Sequence, residues 1–141
     1  MKQMILAVIL TMWSVTAHAA NWVKIYNDPE IEISIDAETI EFGKNTVTYW
    51  QMDNLLKAEK FGTKPYLSRV TKQHTDFNSR TNRLLFITIY SGSNQSGKTL
   101  FSENYDIVLS EARPVVPGSL GAQIHDFMKV LYAEKQKSAN N

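Results

Sequence analysis

The residues at positions 92–99 match a motif that binds phosphate in other proteins. They spell GSNQSGKT, which satisfies the phosphate-loop pattern G-x-x-x-x-G-K-[ST], and they follow an apolar run at 84–90. Nucleotide binding also needs a helix that begins at Lys98, a second strand ending in a metal-holding Asp, and a parallel sheet of several strand–helix–strand units. Only 42 residues follow the motif, and no apolar run among them ends in Asp. We therefore interpret the motif as a glycine-rich hairpin loop and predict that the protein binds no nucleotide and no cofactor.

The other candidates for chemistry are two histidines close to carboxylates. His74 lies near Asp76 and His125 precedes Asp126, but this spacing matches no recognised metal site, and we interpret both as surface histidines. The chain has no cysteine, which excludes a thiolate zinc site, a disulfide and a cysteine nucleophile. The nucleophile pattern G-x-S-x-G is also absent. The sequence thus predicts a protein that is not an enzyme, with no catalytic and no metal-binding residues.

The elements that would position these residues are mostly strands. Alternation of apolar and polar residues, and runs rich in β-branched and aromatic residues, predict five strands and a shorter sixth, at 22–26, 31–36, 46–52, 66–75, 83–90 and 99–103. The polar segment 57–65 is predicted to be a loop. The fold class predicted is α+β: a small antiparallel β-sheet of about five to six strands with a C-terminal α-helix packed on it.

The helix is predicted after Ser119, which is suited to be its N-cap. Apolar residues then recur at helical spacing on one face: Leu120, Ile124, Phe127, Met128 and Leu131. We expect this face to pack on the sheet. The alternative, a stripe that binds a membrane or a partner helix, is disfavoured because the polar face carries few basic residues.

Length and composition fit one compact domain that begins after an export signal. The chain has 141 residues, 43% of them hydrophobic, with 15 basic and 14 acidic side chains, which excludes a nucleic-acid binder held by bulk charge. Lys2, an apolar run and the sequence Ala17-His18-Ala19 predict a signal peptide at 1–19, since the uncharged stretch is shorter than a membrane span. We expect a domain at 20–134 and a polar C-terminal tail at 135–141, with no membrane span after cleavage.

Charge is segregated along this nearly neutral chain. Positions 28–41 hold six acidic and no basic residues, whereas positions 57–83 hold seven basic and two acidic ones. Either the two segments neutralise each other, or the basic one attracts an acidic partner. Alternation along the strand 66–75 places Arg69 and Lys72 on opposite faces. For the second reading, the candidate partner-binding residues are Arg69, Lys72, Arg80 and Arg83.

Short sequence patterns occur in an order that resembles the surface-adhesin protein E family of Gram-negative bacteria. They extend from Trp22 to about position 129. The patterns are Trp22, ISID at 33–36, VTYW at 47–50, Asp76 with Arg80 and Arg83, YSG at 90–92, and the stretch 111–119 before the helix. The family pattern differs at three places: Phe77 and a residue near Lys129 replace its two cysteines, and Ala112 replaces a tryptophan. The resemblance therefore implies that apolar packing of Phe77 with the helix stripe that contains Phe127, Met128 and Leu131 replaces the covalent link here.

The resemblance implies a sheet with a C-terminal helix, a strand connection at the glycine-rich loop, and a location in the periplasm or at the outer cell surface. One functional expectation is an adhesin-like module that binds host matrix or serum proteins such as vitronectin and laminin. The other is a periplasmic module that binds a bacterial partner or a small ligand. A homodimer is left open.

Overall fold

The computed structural model describes residues 19–141, so most of the predicted signal peptide lies outside the described residues. Eight strands precede one helix in this range. Their bounds are β1 Trp22–Asn27, β2 Ile31–Asp36, β3 Glu41–Phe42, β4 Thr46–Phe61, β5 Lys64–Asp76, β6 Thr81–Tyr90, β7 Thr99–Asn104, β8 Arg113–Pro114 and α1 Leu120–Ala139. The helix therefore continues into the segment 135–141 that the sequence assigned to a polar tail.

All the strands form one antiparallel sheet, which confirms the predicted fold class. The order is β1-β2-β4-β5-β6-β7, with β3 added beside β4 and β8 beside β6. Strands adjacent in this order are mostly consecutive in sequence, so hairpins account for nearly all of the topology. The longest pairing joins β4 to β5 in the middle of the sheet.

The loop predicted at 57–65 is wrong, because this segment is the end of the β4–β5 hairpin. Strand β4 continues to Phe61 and β5 begins at Lys64, which leaves only Gly62 and Thr63 as the turn. Gly62 has φ +63°, a conformation that glycine adopts without steric cost. Positions 56–65 are exposed on both faces of the hairpin. A strand that is exposed to solvent on both faces has no alternation of apolar and polar residues, so its sequence resembles that of a loop.

The main core lies between the helix and the half of the sheet formed by β1, β2 and β4. Its buried members are Ile33, Ile35, Val47, Tyr49, Ile124 and Met128. The helix begins as predicted: the Ser119 hydroxyl accepts a hydrogen bond from the backbone N–H of Ala122 at 3.1 Å. This cap satisfies one of the free N–H groups of the first turn.

The helix face differs from the predicted one at two positions. Phe127, expected in the core, is 38% exposed, whereas His125, expected at the surface, is only 3% exposed. The ring of Phe77 explains the second difference, because it packs edge-on against the His125 ring at 5.4 Å and also against Tyr132 at 5.4 Å. Phe77 thus contacts the helix by apolar and aromatic packing, as the missing cysteines led us to expect.

Candidate functional site

The glycine-rich segment is a hairpin loop between two antiparallel strands. Residues 91–98 connect β6 to β7, and Thr99 begins a strand. A phosphate loop instead leads from a strand into a helix, whose first N–H groups and dipole attract the phosphate. The hairpin predicted from the sequence is therefore confirmed. The match to the phosphate-loop pattern is a coincidence of sequence, since the strand–loop–helix structure of a phosphate loop is not formed here.

Hydrogen bonds fasten this loop to the sheet. The backbone N–H of Asn94 donates to the Asn54 side chain at 2.7 Å, and the backbone N–H of Gln95 donates to the Ser68 hydroxyl at 3.1 Å. The backbone N–H of Lys98 donates to a serine hydroxyl within the loop at 2.8 Å. In a phosphate loop these N–H groups would surround the anion, but here they already have acceptors.

The two glycines of the motif have structural roles in this loop. Gly97 has φ +76°, and a Cβ atom there would lie 2.3 Å from the Ser91 hydroxyl. A Cβ atom at Gly92 would lie 2.3 Å from the Ser96 hydroxyl. The close approach of the two sides of the loop therefore requires glycine at both positions, independently of any ligand.

Two of the four candidate partner-binding residues lie on opposite faces of β5, as predicted. Arg69 is on the face that carries the helix, where its Nε donates to Asp53 Oδ2 at 2.6 Å. Lys72 is on the other face, with its Nζ 5.7 Å from the centre of the Trp50 ring and 3.6 Å from the Glu41 carboxylate. One ligand surface cannot include both side chains.

The other two candidates lie at or near the β5–β6 turn, and Arg83 is on the same sheet face as Lys72, because it pairs with His74, two residues along β5. Arg80 is exposed in the turn 77–80 and has φ +51°. Arg83 is the third residue of β6 and donates a hydrogen bond to the carbonyl of Ser110. The structure therefore distributes the four basic residues over two faces and one turn, and does not bring them together in one basic rim.

Lys72 belongs to an aromatic and basic patch on the sheet face opposite the helix. Trp50 packs edge-on against Phe86 with 5.2 Å between the ring centres, and Lys72 lies beside Trp50. The cross-strand register explains this grouping, because Trp50 and Phe86 are both paired with Lys72. We call these three residues the aromatic patch. Partly exposed aromatic rings beside a cation are typical of protein-binding surfaces.

The second candidate surface is a polar groove on the helix side of the sheet, which sequence reasoning missed. Its floor is formed by polar side chains of β4, β5 and β6, three of them buried (Gln51, Asp53 and Thr71) and three partly exposed (Arg69, Gln73 and Asn82). Arg113 of β8 borders one end of it. Three adjoining cavities of about 330, 230 and 210 Å³ make up the groove, and Asn82 lines all three of them.

The floor of the polar groove is held in place by side-chain hydrogen bonds. Gln51 donates to Asp53 at 2.7 Å, and Asp53 also accepts from Arg69. Gln73 donates to Thr71 at 3.0 Å. Farther along, Asn82 donates to Gln73 at 2.7 Å and accepts from a threonine at 3.2 Å. This network fixes the orientation of each amide group before any ligand binds.

Tyr49 and His125 lie at the helix end of the groove. Burial raises the pKa of Tyr49 to about 12, so its hydroxyl stays neutral at physiological pH. Neither ring nitrogen of His125 has a hydrogen-bond partner among residues 19–141. Burial lowers the pKa of His125, and the positive charges of Arg80 and Lys129 lower it further while Asp126 opposes them. The prediction of a surface histidine is thus wrong at 125, and the ring is buried in its neutral form.

His74 is half-buried and bonded, since its Nδ1 lies 2.8 Å from the Thr48 hydroxyl. Burial lowers the pKa of His74 as well. Within residues 19–141, His, Asp and Glu side chains form no group of three that could hold a metal ion. In the same range, no helix has the length and apolar character needed to cross a membrane.

The fold and these two surfaces define a small α+β protein built around an antiparallel sheet, with one face partly covered by a C-terminal helix. The sequence model of the Surface-adhesin protein E family matches residues 22–128, and the chain belongs to that family. Family membership makes it an adhesin-like surface protein and favours a non-enzymatic role.

Solved structures support the same fold. The structure of Haemophilus influenzae protein E matches with a TM-score of 0.57 and 11% identity, over 82% of this chain and 89% of that one. A crystal structure of protein E from non-typeable Haemophilus influenzae matches with a TM-score of 0.52 and 13% identity, over 82% and 88%. At such identities the similarity shows a shared fold. No curated protein matches the sequence.

Proposed function

We propose that this protein is exported by a Gram-negative bacterium and binds host extracellular-matrix or serum proteins, such as vitronectin or laminin, at the outer cell surface. The observation that carries this proposal is the match of residues 22–128 to the surface-adhesin family. The described residues also contain no metal cluster, and the phosphate-loop motif is a hairpin. The aromatic patch supplies a contact surface for such a partner.

The aromatic patch is the surface that we assign to the host protein. Trp50 and Phe86 supply apolar contact area. Lys72 supplies a positive charge that attracts acidic segments of a partner, and this charge is partly offset by the Glu41 carboxylate 3.6 Å from its Nζ. Arg80 is exposed and contributes to the same attraction from the turn. Arg69 contributes least, because its charge is neutralised by Asp53 on the other face.

The test is binding of the purified protein to immobilised vitronectin and laminin. Lys72→Glu reverses one charge within the aromatic patch, and we expect it to slow association, since charges near an interface act mainly on the association rate. Lys129→Glu makes the same charge change on the exposed side of the helix and serves as the matched control. The difference between the variants should shrink at high salt, because charges are screened beyond about 8 Å at physiological ionic strength.

Two results would contradict this assignment. Equal loss of binding in both variants would show a general charge effect, which removes the aromatic patch as the contact surface. No binding by the wild-type protein to either host protein would reject the host ligands.

A second candidate function is that of a periplasmic protein with a bacterial partner or a small ligand. The observation that favours it is the polar groove, whose ordered amide groups are suited to hold a small polar molecule. Surface labelling of intact cells distinguishes the two candidates. Labelling of the protein on intact cells supports the adhesin, whereas labelling only after the outer membrane is opened supports the periplasmic protein.

A further inference from the structure

We infer that the polar groove binds a carboxylate, and that Arg113 is its charge partner. The first observation is the balance of charge. Asp53 is buried and paired with Arg69 at 2.6 Å, so these two charges cancel within the floor. Arg113 borders two of the three cavities and makes no side-chain hydrogen bond or ion pair with the residues at 19–141. The groove therefore has an excess of one positive charge.

The second observation is the balance of hydrogen-bonding groups. Gln51, Gln73 and Asn82 each donate one amide N–H within the floor, which leaves one further N–H on each without an acceptor in the described residues. The guanidinium of Arg113 adds its own N–H groups. Against these, both carboxylate oxygens of Asp53 already accept hydrogen bonds. Donors exceed acceptors, so the complementary ligand is one rich in acceptors.

A carboxylate satisfies both conditions, because it is an anion with two acceptor oxygens that an arginine can bind in a bidentate manner. The walls of the groove also leave room for a short aliphatic chain. Leu84 and Ile87 border one cavity, and Leu120 and Ile124 border the next. Such a group is supplied either by a free small carboxylic acid or by an acidic side chain of a protein segment.

The groove is independent of the surface proposed for the host protein. It lies on the helix side of the sheet, whereas Lys72 and Trp50 lie on the opposite face. Failure of this inference would leave the host-protein proposal unchanged, and the reverse also holds.

The experiment uses the full chain, labelled with ¹⁵N, and follows the side-chain amide signals of Gln51, Gln73 and Asn82 during titration. The probes are glutarate, its neutral analogue glutaramide, and a blocked oligoglutamate peptide, each to about 10 mM, which detects even millimolar affinity. We expect the three amide signals to shift with a carboxylate probe and not with glutaramide. Shifts with glutarate identify a free acid as the type of ligand, whereas shifts with the peptide alone identify an acidic segment.

Arg113→Gln is the decisive variant, and Lys98→Gln, at an exposed lysine of the glycine-rich loop, is its matched control. We expect the first to weaken binding at least about tenfold, the effect of losing a charge-assisted hydrogen bond, and the second to leave it unchanged. The backbone signals of β6 and β8 verify that Arg113→Gln keeps its fold. The inference is overturned if no probe shifts the amide signals, if glutaramide binds as well as glutarate, or if the two variants bind equally.

Discussion

Replacing Met128 with alanine should destabilise the protein far more than replacing its neighbour Phe127. Met128 has no exposed surface and lies in the core cluster with Tyr49 and Ile33. Truncation of a fully buried methionine to alanine costs about 2–5 kcal/mol, since a cavity remains in addition to the lost burial. No disulfide fastens the helix to the sheet, so this packing is what holds it.

The effect of Phe127→Ala follows from its 38% exposure. Full burial of a phenylalanine stabilises a protein by about 1.5–3 kcal/mol, so a ring that keeps somewhat over half of its burial contributes roughly 1–2 kcal/mol. From hydrophobicity alone one would expect the opposite order, with Phe127→Ala lowering the free energy of unfolding more than Met128→Ala. The pair therefore tests the rotation of the helix about its axis.

Urea unfolding followed by circular dichroism gives the free energy of unfolding of each variant. Its slope with urea should be unchanged, since both variants bury nearly the same surface. In a thermal melt, each kcal/mol should lower the melting temperature by about 3–5 °C in a domain of this size. A cost for Phe127→Ala equal to or greater than that for Met128→Ala would refute the helix orientation described here.

Two further predictions concern the buried His125 and the glycine-rich loop. The pKa of His125 is lowered by burial below its ordinary 6.5, so the unfolded chain binds more protons between the two values. The stability that comes from neutral His125 is therefore complete above about pH 6.5 and falls as the pH decreases below it. In urea unfolding at stepwise lower pH, the free energy of unfolding should decrease less for His125→Phe than for the wild type. An equal decrease in the two proteins would contradict this. Lys98→Ala should keep the fold, and ATP with magnesium should not raise the melting temperature, although a nucleotide at 100 times its dissociation constant would add about 2.7 kcal/mol.

Most strands could be predicted because one of their faces is buried. Ile31, Ile33 and Ile35 alternate with polar residues, and the structure places them in β2 on the helix side. The extension of β4 beyond Leu55 could not be predicted in this way, because it lies in a hairpin that is exposed on both faces. Pattern analysis detects burial, so it detects a strand only where burial makes the faces differ.

The helix was predicted correctly, and its buried face was predicted correctly except at positions 125 and 127. At about 100° per residue, His125 lies about 60° from Met128 around the helix axis, whereas Phe127 lies about 100° away. The buried face is centred near Met128, so it includes the histidine and only the edge of the phenylalanine. The ring of Phe77 decides this centre, and its position depends on a turn 48 residues earlier in the chain. Helical periodicity alone contains no such information.

The polar groove exists because the helix is narrower than the sheet. Six strands about 4.8 Å apart span roughly 24 Å, whereas a helix with its side chains is about 10–12 Å across and covers about half of one face. The covered half is apolar, and the same face of β4 becomes polar at the boundary, where Val47 and Tyr49 are followed at period two by Gln51 and Asp53. A change from apolar to polar residues within one alternating series therefore marks the edge of the helix. Such a change was present in the sequence, and it indicates where the core side of the sheet passes from apolar packing to the polar side chains that line the groove.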